Sequence, residues 1–170
     1  MKRVSSFLGV LFVTSAFFVT HCGCSAEKKV EKKEEKKTAI VSIDTVQTWA
    51  GDSLDVPVFL ENDEAIAGVQ LKIQFDPRVL TIGKPVAAER SGDMLVMHNV
   101  KDNELLVMMY SMSGDSIASG NGPILMLPLS ISGDAAGSSS LDLREVILAK
   151  RDAQTVSASS RSGKLVITRR

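Results

Sequence analysis

The stretch from Ala67 to Leu80, AGVQLKIQFDPRVL, constrains the fold of this chain more than any other. Val69, Leu71, Ile73 and Phe75 alternate strictly with Gln70, Lys72 and Gln74. That is the period-two pattern of a strand with one buried and one wet face. It ends at Asp76-Pro77, where proline fixes its own backbone angle and removes an amide donor. A second apolar run, Val79, Leu80 and Ile82, then restarts the chain. A polar strand face held by a rigid sheet and closed by a hard stop suits recognition better than catalysis.

The same kind of pattern repeats downstream of Ala39. Strands are predicted over 40–48, 54–60, 67–75, 94–99, 104–112, 124–132, 139–148 and 164–168, with weaker pieces near 78–86 and 153–157. Strong turn signals separate them: Gly51-Asp52, Asn62-Asp63, Ser91-Gly92-Asp93, Asp102-Asn103, Ser113-Gly114-Asp115, Gly120-Asn121-Gly122-Pro123 and Gly133-Asp134. Short strands at regular spacing, with no convincing amphipathic helix, point to an all-β sandwich. Sheets packed face to face bury alternate residues, and the expected inward sets are Val41/Ile43, Val56/Val58/Leu60, Leu105/Val107/Met109 and Leu165/Ile167. Pro57 and Pro128 fall inside strand patterns, which predicts edge positions or bulges there. The nearly continuous apolar run Leu105 to Met109 reads as a central strand whose second face is also partly covered.

The first 37 residues are of another kind. Lys2 and Arg3 precede an apolar run, Phe7 to Val19, too short for a comfortable transmembrane helix but well suited to an export signal. HCGCS follows at residues 21–25, and then the low-complexity run SAEKKVEKKEEKK at 25–37. With Val30 as its one clearly apolar side chain, that run reads as a solvated spacer. An apolar run ending in cysteine before a charged tether resembles the lipobox of bacterial lipoproteins, whose cysteine is lipidated and becomes the new N-terminus. Cys24, preceded by the small Gly23, fits better than Cys22, which follows the bulky His21. The resulting division is a lipoprotein-type signal at 1–23, a tether at 24–38 and one domain at 39–170, in a protein exported and lipid-anchored at a bacterial membrane or cell surface. A plain secretory signal, giving a secreted or periplasmic protein, is the alternative. Cleavage before Cys24 would leave the folded domain without cysteine, hence without a disulfide framework.

Charge excludes one class of partner. The whole chain is formally neutral, but from Thr38 onward there are 12 lysines and arginines against 16 aspartates and glutamates, a net of −4. A mildly acidic domain has no electrostatic reason to seek DNA or RNA.

Taken as an ordered set, the segments resemble the cohesin domain, the module that binds dockerin in cellulosome-type assemblies. AGDSLDVPVFLEN at 50–62 resembles that family's opening turn and second strand, and IAGVQLKIQFDPRVL at 66–80 its most recognisable stretch. GNGPILMLPLSISGDAAGSSSLDL at 120–143 and SGKLVITRR at 162–170 resemble its later turn, strand and closing strand. The resemblance implies a β-sandwich of jelly-roll topology with about nine strands. It also implies protein–protein binding without chemistry, with a dockerin-bearing or other exported protein as partner, in a setting of polysaccharide degradation. The implied contact face includes Gly68, Gln70, Lys72 and Gln74. At the positions matching Gly68 and Gln70, better-known cellulosomal members often carry an Asn and an Asp. Glycine and glutamine here replace a charge-assisted grip by absent or neutral groups.

No catalytic constellation accompanies these features. G-x-S-x-G, H-E-x-x-H and phosphate-cradling glycine loops are all missing, and the one histidine of the domain, His98, stands beside Asn99 on a predicted strand end. No cofactor or metal is expected. Asp52, Asp93, Asp115 and Asp134 sit in turns and lack EF-hand spacing, leaving a weak structural calcium as the alternative. The rival functional readings are a carbohydrate-binding module and a structural or adhesive surface lipoprotein. Sugar binding draws on exposed aromatics, for which Trp49 and Tyr110 are the candidates, Phe59 and Phe75 being expected in the core.

Overall fold

A computed structural model describes residues 38–169. The expected export signal, its cysteines Cys22 and Cys24, and the tether as far as Lys37 lie outside the described residues.

The domain is the expected all-β sandwich of two sheets. The first sheet contains β1 (Ala39–Ile43), β3 (Ser53–Asn62), β5 (Leu80–Ile82), β6 (Val86–Ala87), β9 (Gly120–Ile131) and β12 (Ala158–Arg161). The second contains β2 (Thr45–Trp49), β4 (Gly68–Gln74), β7 (Leu95–Lys101), β8 (Glu104–Tyr110), β10 (Gly137–Ala149), β11 (Thr155–Val156) and β13 (Gly163–Thr168). The first runs in the order β12-β1-β3-β9-β5, with β6 also on β9; the second runs β2-β13-β10-β4-β8-β7, with β11 on β10. The helical content among the described residues is one 3-10 turn, Glu89–Ser91.

These 13 segments exceed the expected nine partly because two runs change sheet midway. The stretch predicted as one strand over 40–48 breaks at Asp44. Its first half pairs with β3 and β12, its second half with β13. The chain from Ala158 to Thr168 breaks at Ser162 in the same manner, so β12 runs parallel to β1 and β13 parallel to β2. Together the two runs form a seam along one side of the sandwich. Gly163 sits at that seam, where a Cβ would lie 2.8 Å from Ile43 Cβ and 3.0 Å from the Asp44 carbonyl.

Asp76-Pro77 makes a second crossing, from β4 in one sheet to β5 in the other. The Asp76 carbonyl accepts from the amides of Val79 and Leu80 at 3.0 and 3.1 Å. The Asp76 carboxylate accepts from the backbone and side chain of Arg78, and these bonds hold its pKa below the ordinary carboxylate value. The local chemistry thus ends one strand and aims the next.

The predicted inward sets all face the core. Val41, Val58, Leu60, Leu71, Ile73, Leu105, Val107 and Leu165 are completely buried. Phe75 joins them, but Phe59 does not: it is half-buried on the outer face of the first sheet, in step with Pro57, while Val58 and Leu60 point inward. The edge half of the proline expectation needs correcting, since β3 and β9 are interior strands, although their register shifts between Val58 and Phe59, next to Pro57. Pro57 lies just past the last β1 partner, at Val58. Pro128 falls between the residues of β9 that pair with β5 and β6, and its carbonyl accepts from Gly83 N at 2.7 Å. Each proline occupies a local gap in the pairing, where a missing amide costs little.

Candidate binding face

Both outer neighbours of β4 share its alternation, so the outward side chains of four strands fall into rows across the second sheet. From β10 through β4 and β8 to β7, one row reads Ala149, Gly68, Tyr110, Leu95, and the next Ile147, Gln70, Met108, Met97. The third reads Glu145, Lys72, Leu106, Asn99 and the fourth Asp142, Gln74, Glu104, Lys101. Gly68, Gln70, Lys72 and Gln74 therefore form one column of a continuous surface, as the alternation requires. The surface is graded along the strands, from an apolar end at Gly68 to a charged end at Gln74.

The polar half of the face is internally bonded. Gln70 Nε2 donates to Glu145 Oε1 at 2.8 Å, and Lys72 Nζ lies 2.9 Å from Glu145 Oε2. Arg144 Nε donates to Gln74 Oε1 at 2.7 Å. A bulge in β10 between Leu143 and Glu145 makes room for Arg144 beside its neighbour. The Lys72 ammonium, together with Gln70, holds the Glu145 carboxyl below its ordinary pKa, and Glu145 in turn raises that of Lys72. A carboxylate with a lowered pKa contributes its interaction above the unfolded value and loses it as pH falls through the folded one. The Glu145 titration midpoint, read by carboxyl NMR, is therefore expected to rise in Lys72→Met. The pair is solvent-exposed enough that it orders the face more than it stabilises the fold.

The apolar half was not assembled by sequence reasoning. Leu95, Met97, Met108, Tyr110 and Ile147 are all exposed, Met97 by 56 % and Met108 by 43 %. The run from Leu105 to Met109 suggests a second face partly covered, and in the structure Leu106 is half-buried while Met108 is the more open of its two outward side chains. The signal was present in that run, but its partners on β7 and β10 are distant in sequence. Tyr110 Oη donates to Met97 Sδ at 3.3 Å. Both aromatic candidates are exposed, but on different strands: Trp49 ends β2 at the sheet's far edge, and Tyr110 belongs to this face.

Other polar groups serve the scaffold. Arg90, on the 3-10 turn, donates to the carbonyls of Leu60 and Ala118 at 2.6 and 2.9 Å and to Asn62 Oδ1. Its partial burial lowers its pKa. Asn62 is itself buried, and its amide donates to the Glu64 and Ala118 carbonyls. His98 is exposed on the edge strand β7. Among the described residues, no three His, Cys, Asp or Glu side chains are grouped to hold a metal ion, and no helix is long and apolar enough to cross a membrane.

Three solved structures have the same architecture. One is a non-cellulosomal cohesin from the archaeon Archaeoglobus fulgidus, 19% identical with a TM-score of 0.67, covering 77% of this chain and 91% of that one. The second is a type I cohesin–dockerin complex of OlpA from Clostridium thermocellum, at 22% identity and a TM-score of 0.71, covering 77% and 99%. The third is the sixth cohesin of scaffoldin B from Acetivibrio cellulolyticus, in complex with a dockerin, at 19% and 0.69, covering 77% and 99%. At such identities the likeness is one of fold. No curated protein matches the chain. The family model of the cohesin domain matches residues 39–167, nearly the whole of the described sandwich. With the strand order, the core and that match in agreement, this chain belongs to the cohesin family.

Proposed function

We propose that this protein is a non-catalytic binding module whose second-sheet face takes a dockerin-bearing partner outside the cell. The observation that carries the reading is the face itself: Leu95, Met97, Met108, Tyr110 and Ile147, exposed in two adjacent rows of a sheet, in a member of the cohesin family. Exposed apolar patches rimmed by polar groups mark interaction sites. Two of the three similar structures described above are complexes with dockerins. In this proposal Gly68, Gln70, Lys72 and Gln74 line the contact, Cys24 (or Cys22) carries a lipid, and residues 25–37 hold the domain off the membrane. The proposal extends, on the family resemblance alone, to a polysaccharide-degrading setting.

The test is affinity capture of exported proteins by the immobilised mature chain, with calcium and with chelator. A captured partner bearing paired EF-hand-like loops, and lost with chelator, is the expected result. A calcium-independent protein partner keeps the binding role and discards dockerin. Retention on insoluble polysaccharide with no protein captured replaces this reading by sugar binding. Gln70→Arg adds bulk and charge at the centre of the face while keeping a donor for Glu145. It is expected to weaken partner capture by roughly tenfold or more with the thermal midpoint unchanged. A lowered midpoint would instead place Gln70 inward.

A further inference from the structure

Methionine is an unusual choice for two of the four outward positions in the row Ile147, Gln70, Met108, Met97. Met97 and Met108 are register partners on β7 and β8, and both are exposed. Met109, next to Met108 in sequence, is 1% exposed, and Met94 is buried too. Met97 and Met108 are thus within reach of a dissolved oxidant, as is Met112 beyond the end of β8, while Met94 and Met109 are shielded in the core.

We propose that Met97 and Met108 form an oxidation-sensitive pair that turns this face from apolar to polar, so that oxidants of the peroxide class release the partner bound there. The inference rests on the reading of the face given above. The step balances simply. A thioether sulfur takes one oxygen atom from the peroxide, is oxidised by two electrons to the sulfoxide, and the peroxide leaves as water. Nothing inside the sandwich is disturbed, because both side chains point away from the core. The sulfoxide oxygen is a better acceptor than the thioether it replaces. The Tyr110 hydroxyl, already donating to Met97 Sδ, is placed to bond it and hold the polar form in the face. A partner seated there meets two new dipoles where it had buried apolar surface. The change is chemically reversible: a methionine sulfoxide reductase returns the thioether, its two thiols becoming a disulfide as the oxygen leaves as water.

The experiment uses the mature chain and, as probe, a panel of calcium-loaded dockerins. The protein is treated with hydrogen peroxide, the excess is removed with catalase, and oxidation is mapped residue by residue by mass spectrometry. Met97 and Met108 are expected to oxidise ahead of Met94 and Met109, with the far-ultraviolet dichroism unchanged. Dockerin affinity is expected to fall by roughly tenfold or more. Met97→Leu/Met108→Leu, compared with its own untreated form, should bind equally well before and after peroxide although the exposed Met112 still oxidises. Equal oxidation of Met109 and Met108, undiminished affinity of the parent after oxidation, or a peroxide-induced loss of affinity in the double-leucine variant would each overturn the switch. If no dockerin binds even the untreated protein, it is the reading of the face that fails, and the switch with it.

Discussion

Ile73→Asp is expected to leave the chain unable to fold at ordinary temperatures. Ile73 is completely buried in β4, between Leu143 of β10 and Leu105 of β8. An aspartate there exchanges an apolar side chain for a carboxylate with no cation in reach, in the least solvated part of the sandwich. Burying an unpaired charge is among the few single changes that cost about 4–5 kcal/mol or more. That is comparable with the whole stability of many domains, about 5–15 kcal/mol. Soluble yield and a thermal melt read the effect directly. Gln70→Arg, three residues away but on the other face, is the control. If Ile73→Asp melted like the parent protein, the assignment of faces along β4 would be inverted.

Gly163→Ala should produce the second largest loss. The backbone of Gly163 is not in the left-handed region, so its need for glycine is one of space alone. A methyl group would be driven against Ile43 and the Asp44 carbonyl, where β1 gives way to β2. Ile43 is buried, and the carbonyl belongs to the backbone, so neither can swing aside. Overpacking of this kind costs about 1–3 kcal/mol. For a domain of this size that lowers the melting temperature by roughly 3–10 °C. A melt unchanged within a degree would mean that the two sheet-switching runs stand further apart than described. Gly137 offers a useful contrast. A Cβ there meets nothing nearby, but its φ of +89° would strain any other residue, so the cost of substitution arises in the backbone.

The buried set was legible because period-two alternation is a local property, visible in a window of seven residues. Val69 to Phe75 and Leu165 to Ile167 needed no knowledge of their neighbours. The hairpin at Asp102-Asn103 was equally plain, and Asp102 adopts the positive φ of 54° that such tight turns favour. What failed locally was whatever depends on partners. The split at Asp44 leaves no mark on a run that reads as one strand, because the change of sheet is decided by β12 and β13, over a hundred residues later. β12 itself, ASSR, is polar and short, with no alternation to detect. Phe59 was assigned to the core for its chemistry, although its parity with Pro57 places it outward. The outward column on β4 was legible for the same reason as the core, being its complement. The apolar half of the face was not, since it exists only when β7, β8 and β10 lie side by side.

The seam has a mechanical consequence. β1 and β2 run beside β12 and β13 in the same direction, Ala39 opposite Ala158 and Trp49 opposite Thr168. The described chain therefore enters near one end of the ladders and leaves near the other. Tension applied between Ala39 and Thr168 pulls along the strands, and the rungs of both parallel ladders take the load together. An antiparallel hairpin pulled at its open end yields one bond at a time. Here the ladders must slide before any bond is released, which makes the seam a shear clamp, the arrangement best able to bear a steady pull between the two ends of the domain.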